Sequence, residues 1–167
     1  TYGHAGLGTI PHLSMENTAD ALRQKFAAVP FRGDAPLVPA LLRGEVDFAS
    51  VGISTIRPQP SIRPLAIFSD KRHAAYPDVP TVKELGVATS VPPGHNGLFA
   101  PAGLPAVVRT ALEGACRSIL KQDAVAKVMT NTGQSIEYLN GAEFHAQTVA
   151  DYKSKGELIK RLGLGAR

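Results

Sequence analysis

A chain of 167 residues with 44% hydrophobic and 19% charged content is long enough for one globular body with a core, and short for two complete domains. The formal charge of +4 is mild, and Arg23, Lys25, Arg43, Lys71, Arg72, Lys153, Lys155, Lys160 and Arg161 are scattered, so the sequence indicates no nucleic-acid stripe. The lone Cys116 excludes an intrachain disulfide and a cysteine-built zinc cluster, and no apolar run approaches the ~18 residues of a membrane span.

In chain order, the first element is Thr1-Tyr2-Gly3-His4-Ala5-Gly6-Leu7-Gly8-Thr9, a strand that glycines interrupt before a helical pattern begins near Ile10. Glycine lets backbone and ligand approach without a Cβ, and the first N–H groups of a helix have no intrahelical acceptor and carry the positive end of its dipole. The stretch therefore suggests an anion site for a phosphate or carboxylate. Gly3-x-x-x-x-Gly8-Thr9 has P-loop glycine spacing without the lysine, and Gly6-x-Gly8 has Pro11 where a dinucleotide fingerprint needs a third glycine. What survives is a cradle of neutral donors with the Thr9 hydroxyl as N-cap or ligand donor. A glycine turn that merely lets strand and helix pack closely stays open at this point.

Met15, Ala19, Leu22 and Phe26 recur at helical spacing, which predicts a helix to about Lys25 with that stripe on a core. Ala27–Phe31 is short and apolar; Asp34 reads as the N-cap of a helix over Ala35–Leu42 stopped by Gly44. Val46–Val51 reads as a mostly buried strand, followed by one helical turn within Ile53–Gln59. Further expectations are a strand over Ile62–Phe68, a capping box at Thr81-x-x-Glu84 opening a short helix, and a strand over Gly97–Ala100. Pro105 starts a helix whose buried face would be Val108, Leu112, Ala115, Cys116 and Ile119. Asp123 caps a helix stopped by Gly133, Gln134–Tyr138 is a candidate strand, and Asn140 caps a last helix bearing Phe144, Thr148, Tyr152, Ile159 and Leu162 on one face. Alternating strands and helices predict an α/β fold with a mainly parallel sheet, whose ligands sit beyond the strand C-termini, where the glycine loop and Ser50–Ser54 both lie.

Enzyme signatures are missing. Ser50, Ser54 and Thr55 lack a nucleophile elbow, and the five histidines (4, 12, 73, 95 and 145) show no paired metal spacing, so neither a catalytic residue nor a metal or cofactor is expected. His4 reads as a candidate ligand contact, His12 as a solvated or packing residue, Asp47 as a strand-end cap or edge charge ahead of a general base, and Lys71-Arg72 as a solvated pair ahead of a partner-docking one.

Several stretches together resemble a family. Tyr2-Gly3-x-Ala5-Gly6-x-Gly8-Thr9, Val29-Pro30-Phe31-Arg32-Gly33, Gly44-Glu45-Val46-Asp47-Phe48, Lys71-Arg72 with Pro77-Asp78-Val79-Pro80-Thr81-Val82-x-Glu84-x-Gly86, and Gly97-Leu98-Phe99-Ala100-Pro101-Ala102-Gly103-x-Pro105 occur in the order seen in tripartite tricarboxylate transporter substrate-binding proteins, the Bug or TctC-like family. The resemblance implies a periplasmic-binding-protein-like (type II-like) α/β lobe from a periplasmic receptor that closes on a small carboxylate and delivers it to membrane components of a tripartite transporter. It implies a ligand site at His4, Ala5, Gly6, Gly8 and Thr9, completed by Ser50, Gly52 and Ser54. The chain departs from the family at His4, at Val51-Gly52 and at Asp34. It also implies that 1–100 is the second ligand-binding lobe and that 101–167 is a C-terminal helical segment that packs on a first lobe, absent from what reads as a cut chain without a leader peptide. With that partner surface missing, the stripes of the C-terminal helices are expected to drive self-association. Other classes consistent with the residues are a phosphate- or nucleotide-handling enzyme using Gly3–Thr9 and the effector-binding domain of a transcription regulator.

Overall fold

The computed structural model describes residues 1–87, 94–134 and 136–165. Strand β1 (Tyr2–His4), helix α1 (Ile10–Ala21), strand β2 (Ala28–Pro30), helix α2 (Asp34–Leu42), strand β3 (Phe48–Ser50) and the short helix α3 (Ile53–Ile56) form the N-terminal part; α4 (Ala106–Ile119), α5 (Asp123–Thr132) and α6 (Gly141–Arg161) follow. The three strands make a parallel sheet in the order β2-β1-β3, with Tyr2 opposite Ala28 and Phe48, and His4 opposite Pro30 and Ser50. The expected α/β fold with a parallel sheet flanked by helices is the one observed.

Strand alternation assigns the two faces of β1. Tyr2 and His4 turn toward α1, where the Tyr2 hydroxyl donates to Glu16 Oε1 at 2.5 Å and the His4 ring stacks on His12. Gly3 turns the other way, toward α2. A Cβ at Gly3 would run into Leu37 Cδ1 and press on Phe31 and Val46 at 3.3 and 3.4 Å, so the missing side chain sets how closely α2 lies on the sheet. The core contains Tyr2, Leu13, Met15, Ala19, Leu37, Ala40 and Val46, all buried.

Helix α1 ends at Ala21, four residues before the expected Lys25, because Arg23 takes a left-handed φ of 53° and the chain turns away. Met15 and Ala19 are therefore core residues while Leu22 is exposed and Phe26 leaves the helix to sit edge-on against Phe48. Asp34 is the first residue of α2, and Gly33 with φ of 97° is its N-cap. Asp123 is likewise the first residue of α5, behind Gln122. Gly44 and Gly133, with φ of 74° and 71°, follow the ends of α2 and α5 as expected.

The strands expected over Ile62–Phe68 and Gly97–Ala100 do not form; the first is reduced to a single parallel bridge between Ile67 and Thr81. Pro64 removes a ladder donor, and among the described residues neither stretch joins the β2-β1-β3 sheet. Residues 134 and 136–138 carry no strand either, with Ser135 outside the described residues. Thr81 and Glu84 do form the reciprocal capping pair, Thr81 N–H to Glu84 Oε2 at 2.8 Å and Glu84 N–H to Thr81 Oγ1 at 3.1 Å, but the chain makes only a turn before Gly86. Arg72 is not a freely solvated cation. Its Nε donates to both Glu84 carboxylate oxygens at 3.0 Å and its Nη1 to the Pro77 carbonyl at 3.0 Å, strapping the proline-rich loop.

The C-terminal helices depart most from expectation. No residue of α4 is buried, and Val108, Leu112 and Ile119 are exposed where a core face was expected. Helix α6 does fold back on the body: Leu158 is buried, and Arg161 donates to Asp20 Oδ2 at 2.5 Å and to Asn17 Oδ1 on α1. Its stripe is only partly covered, with Phe144 half-buried against Phe99, ring centroids 5.4 Å apart, and Tyr152 in solvent. Asn140 caps α6 as read, its side chain accepting from Ala142 and Glu143 N–H while Glu143 accepts from Asn140 N–H.

Candidate functional site

The register that sets His4 beside Ser50 places the loops after β1 and β3 side by side on the C-terminal edge of the sheet. Parallel packing therefore brings together the stretches His4–Thr9 and Ser50–Ser54, which lie more than forty residues apart in the chain. The loop after β2 joins them, since its Phe31 N–H donates to the His4 carbonyl at 2.9 Å.

The loop after β1 is held from within. Gly6 and Gly8 take φ of 137° and 72°, which a side chain would strain, and the Gly6 carbonyl accepts the Thr9 hydroxyl at 2.7 Å. Thr9 occupies the N-cap of α1, yet its hydroxyl proton goes to Gly6 and its side chain makes no cap bond to the helix. Gly8 N–H donates to His12 Nδ1 at 3.0 Å, so Gly8 has an acceptor inside the protein. Among the described residues the N–H groups of Leu7 and Ile10 have no backbone or side-chain acceptor, and Leu7 is 73% exposed at the loop crest. The loop thus keeps neutral donors that no described residue accepts at the positive end of a twelve-residue helix.

The His4 side chain turns inward, under the loop. It is 0% exposed, its ring centroid 4.3 Å from that of His12, which is 3% exposed. Its Nδ1 lies 2.9 Å from the Gly6 carbonyl and 3.3 Å from Gly6 N, and its Nε2 is buried with no hydrogen-bond partner among the described residues. Burial, and then the neighbouring His4, hold His12 below the ordinary histidine range. A neutral His12 with Nδ1 accepting is the form that the Gly8 contact needs. Two buried imidazoles therefore form the floor of the loop. The sequence reads His12 as a solvated or packing residue; the signal for its role is its position four residues after Gly8, on the first turn of α1.

On the other side, Ser50 is buried at the end of β3, Gly52 is the N-cap of α3, and Ser54 is exposed. A Cβ at Gly52 would stand 3.6 Å from Ser54 Oγ, 3.8 Å from Thr55 Oγ1 and 4.0 Å from Asp34 Oδ2. Thr55 Oγ1 donates to Asp34 Oδ2 at 2.5 Å, tying α3 to the start of α2. Neither Asp34 nor Thr55 was singled out for the site, because only the fold makes residues 34 and 55 neighbours. Asp47 sits apart from this edge, exposed, and accepts the Thr1 hydroxyl at 2.8 Å. No group of three potential metal ligands occurs among the described residues.

Parallel strands with glycine-rich loops meeting at their C-terminal edge are the architecture of a periplasmic-binding-protein-like lobe. The chain belongs to the TctC family, the tripartite tricarboxylate transporter family receptors, whose family model matches residues 1–164. It is similar to a UPF0065 protein of Bordetella pertussis, 33% identical over 98% of this chain and 51% of that protein. A UPF0065 protein from the gbd 5' region of Cupriavidus necator is 31% identical over 98% of this chain and 50% of its own length. Among solved structures, an R. palustris protein with adipate shares 25% identity at a TM-score of 0.81, over 97% of this chain and 55% of that one. MatC from Rhodopseudomonas palustris with bound malate shares 28% identity at a TM-score of 0.67, over 96% and 54%. The chain spans about half the length of the curated relatives it matches.

Proposed function

We propose that this chain supplies one ligand-binding lobe of a periplasmic receptor that captures a small organic acid and delivers it to the membrane components of a tripartite tricarboxylate-type transporter. The observation that carries the reading is the junction of the His4–Thr9 loop, opening into α1, with the Ser50–Ser54 turn through the His4–Ser50 register. Unpartnered N–H groups at a helix start hold a carboxylate without a formal positive charge, which suits a receptor that must also let go. Residues 1–100 are on this reading the second lobe, with the ligand at the loop of His4, Ala5, Gly6, Gly8 and Thr9, where the N–H groups of Leu7 and Ile10 have no acceptor among the described residues, and at Ser50, Gly52 and Ser54; 101–167 would pack on a first lobe. The receptor family and the adipate and malate bound by two similar proteins favour a carboxylate over a nucleotide, and a binding role over catalysis.

Calorimetric titration with malate, adipate and shorter mono- and dicarboxylates tests the reading. A ligand whose affinity falls at least about tenfold in Gly8→Val and Thr9→Val supports it, a loss of ~1.4 kcal/mol or more. Equal affinity in the parent and both variants removes the loop from the site, and stabilisation by ATP or NAD but by no carboxylate favours the nucleotide-handling alternative.

A second part of the reading concerns α4, whose Val108, Leu112 and Ile119 are exposed along one face. Contiguous apolar surface on a helix implies a cover; in a whole receptor that cover would be the first lobe, and for these 167 residues by themselves a second copy is the occupant we favour. Light scattering across a dilution series decides it: a compact monomer at every concentration, unchanged by Leu112→Glu, sinks the self-association.

A further inference from the structure

We propose that Asp34 selects the chemical class of ligand, so that the site takes a carboxylate bearing a hydroxyl or ammonium group at its other end in preference to a dicarboxylate. The inference rests on the proposed receptor function and deepens it. Asp34 begins α2 directly beside the β3–α3 turn, with Oδ2 4.0 Å from the place a Gly52 Cβ would occupy, so its carboxylate belongs to the wall that also carries Gly52 and Ser54. Its hydrogen-bond partner, the Thr55 hydroxyl, is neutral, and no Lys, Arg or His nitrogen lies within 4.0 Å of it among the described residues. Asp34 is therefore a half-buried carboxylate in the first turn of α2 with no cationic side chain beside it among the described residues, and its remaining lone pairs can only accept.

The two walls differ in kind. The loop after β1 offers N–H donors at a helix start, which suit a carboxylate; the wall after β3 offers a carboxylate and the Ser54 hydroxyl, which suit a donor. Two carboxylates a few ångströms apart in a partly desolvated cleft repel strongly enough to weaken binding by about tenfold to several hundredfold, depending on how much water remains between them. An ammonium in the same place is attracted by a similar factor, and a hydroxyl gains a charge-assisted hydrogen bond.

Matched ligands separate the inference from the reading beneath it. Succinate against 4-aminobutyrate, and adipate against 6-aminohexanoate and 6-hydroxyhexanoate, keep the chain length and change only the far end, while hexanoate reports the loop alone. With the full chain, the amino or hydroxy acid of at least one set is expected to bind tenfold or more tighter than its dicarboxylate. In Asp34→Asn, which keeps an acceptor for Thr55, that ratio is expected to fall at least tenfold. A dicarboxylate that binds as well as its amino acid partner in the parent protein overturns the role of Asp34 and leaves the carboxylate receptor standing; this comparison needs no variant to fold. An unchanged ratio in a folded Asp34→Asn does the same. Failure of every ligand including hexanoate overturns both.

Discussion

His12 accepts the Gly8 amide proton on Nδ1 at 3.0 Å, which makes the shape of the glycine loop depend on an uncharged imidazole buried beneath it. Burial and the adjacent His4 lower the His12 pKa from its ordinary 6.5, with Glu16 opposing them. A folded-state value below the unfolded one means that the unfolded chain binds more protons between the two. The contribution to stability is thus fully present above about pH 6.5 and is lost as the pH falls through the folded-state value. Melting temperature is expected to drop from pH 7.5 toward pH 5, and the drop to shrink in His12→Gln, which has no ring to protonate. Parallel pH profiles for the two proteins would disprove the dependence.

Gly3 and Leu37 interlock across the sheet, and the fit leaves no space for a methyl group. Gly3→Ala is expected to cost about 1–3 kcal/mol, the usual penalty for overfilling a packed interior. Because the collision is with one side chain, adding Leu37→Val should return part of the loss, so the double variant in urea unfolding is expected to be less destabilised than the sum of the singles. Strict additivity would mean that the strain lies elsewhere.

Helix α6 is 21 residues long and carries Gly156 in its interior, so its start matters. Asn140 satisfies two of the first N–H groups and Glu143 reaches back to a third. Asn140→Ala is expected to lower stability by about 0.5–2 kcal/mol, while Asn140→Asp or Asn140→Ser should stay close to the parent in a thermal melt.

Two residues anchor the far end of α6, and their magnitudes differ. Leu158 is buried, and truncating it to alanine removes apolar contact and leaves a cavity, for an expected loss of about 2–5 kcal/mol. Arg161 meets Asp20 across α1, but both side chains are 53% exposed, and such pairs are worth about 0–1 kcal/mol. Chemical unfolding of Leu158→Ala and Arg161→Ala should rank them in that order; the reverse ranking would place the docking of α6 in the ion pair.

Much of the framework is local and therefore legible in the residues themselves. The β1-α1-β2-α2-β3 order, the positions of α4, α5 and α6, the stops at Gly44 and Gly133 and the N-cap at Asn140 all follow from glycine φ freedom, capping chemistry and apolar spacing over a few residues. The glycine loop at the start of α1 was visible for the same reason. Tertiary structure alone decided whether an extended apolar stretch met a partner: among the described residues Gly97–Ala100 has strand composition and pairs with no strand, and the stripe of α4 has helical spacing and no buried residue. It also decided the chemistry of the site. His12 withdraws the Gly8 N–H, His4 turns inward onto His12, and Asp34 meets Thr55 from 21 residues away, each because strand register and helix crossing, rather than chain neighbours, set which polar groups come within reach.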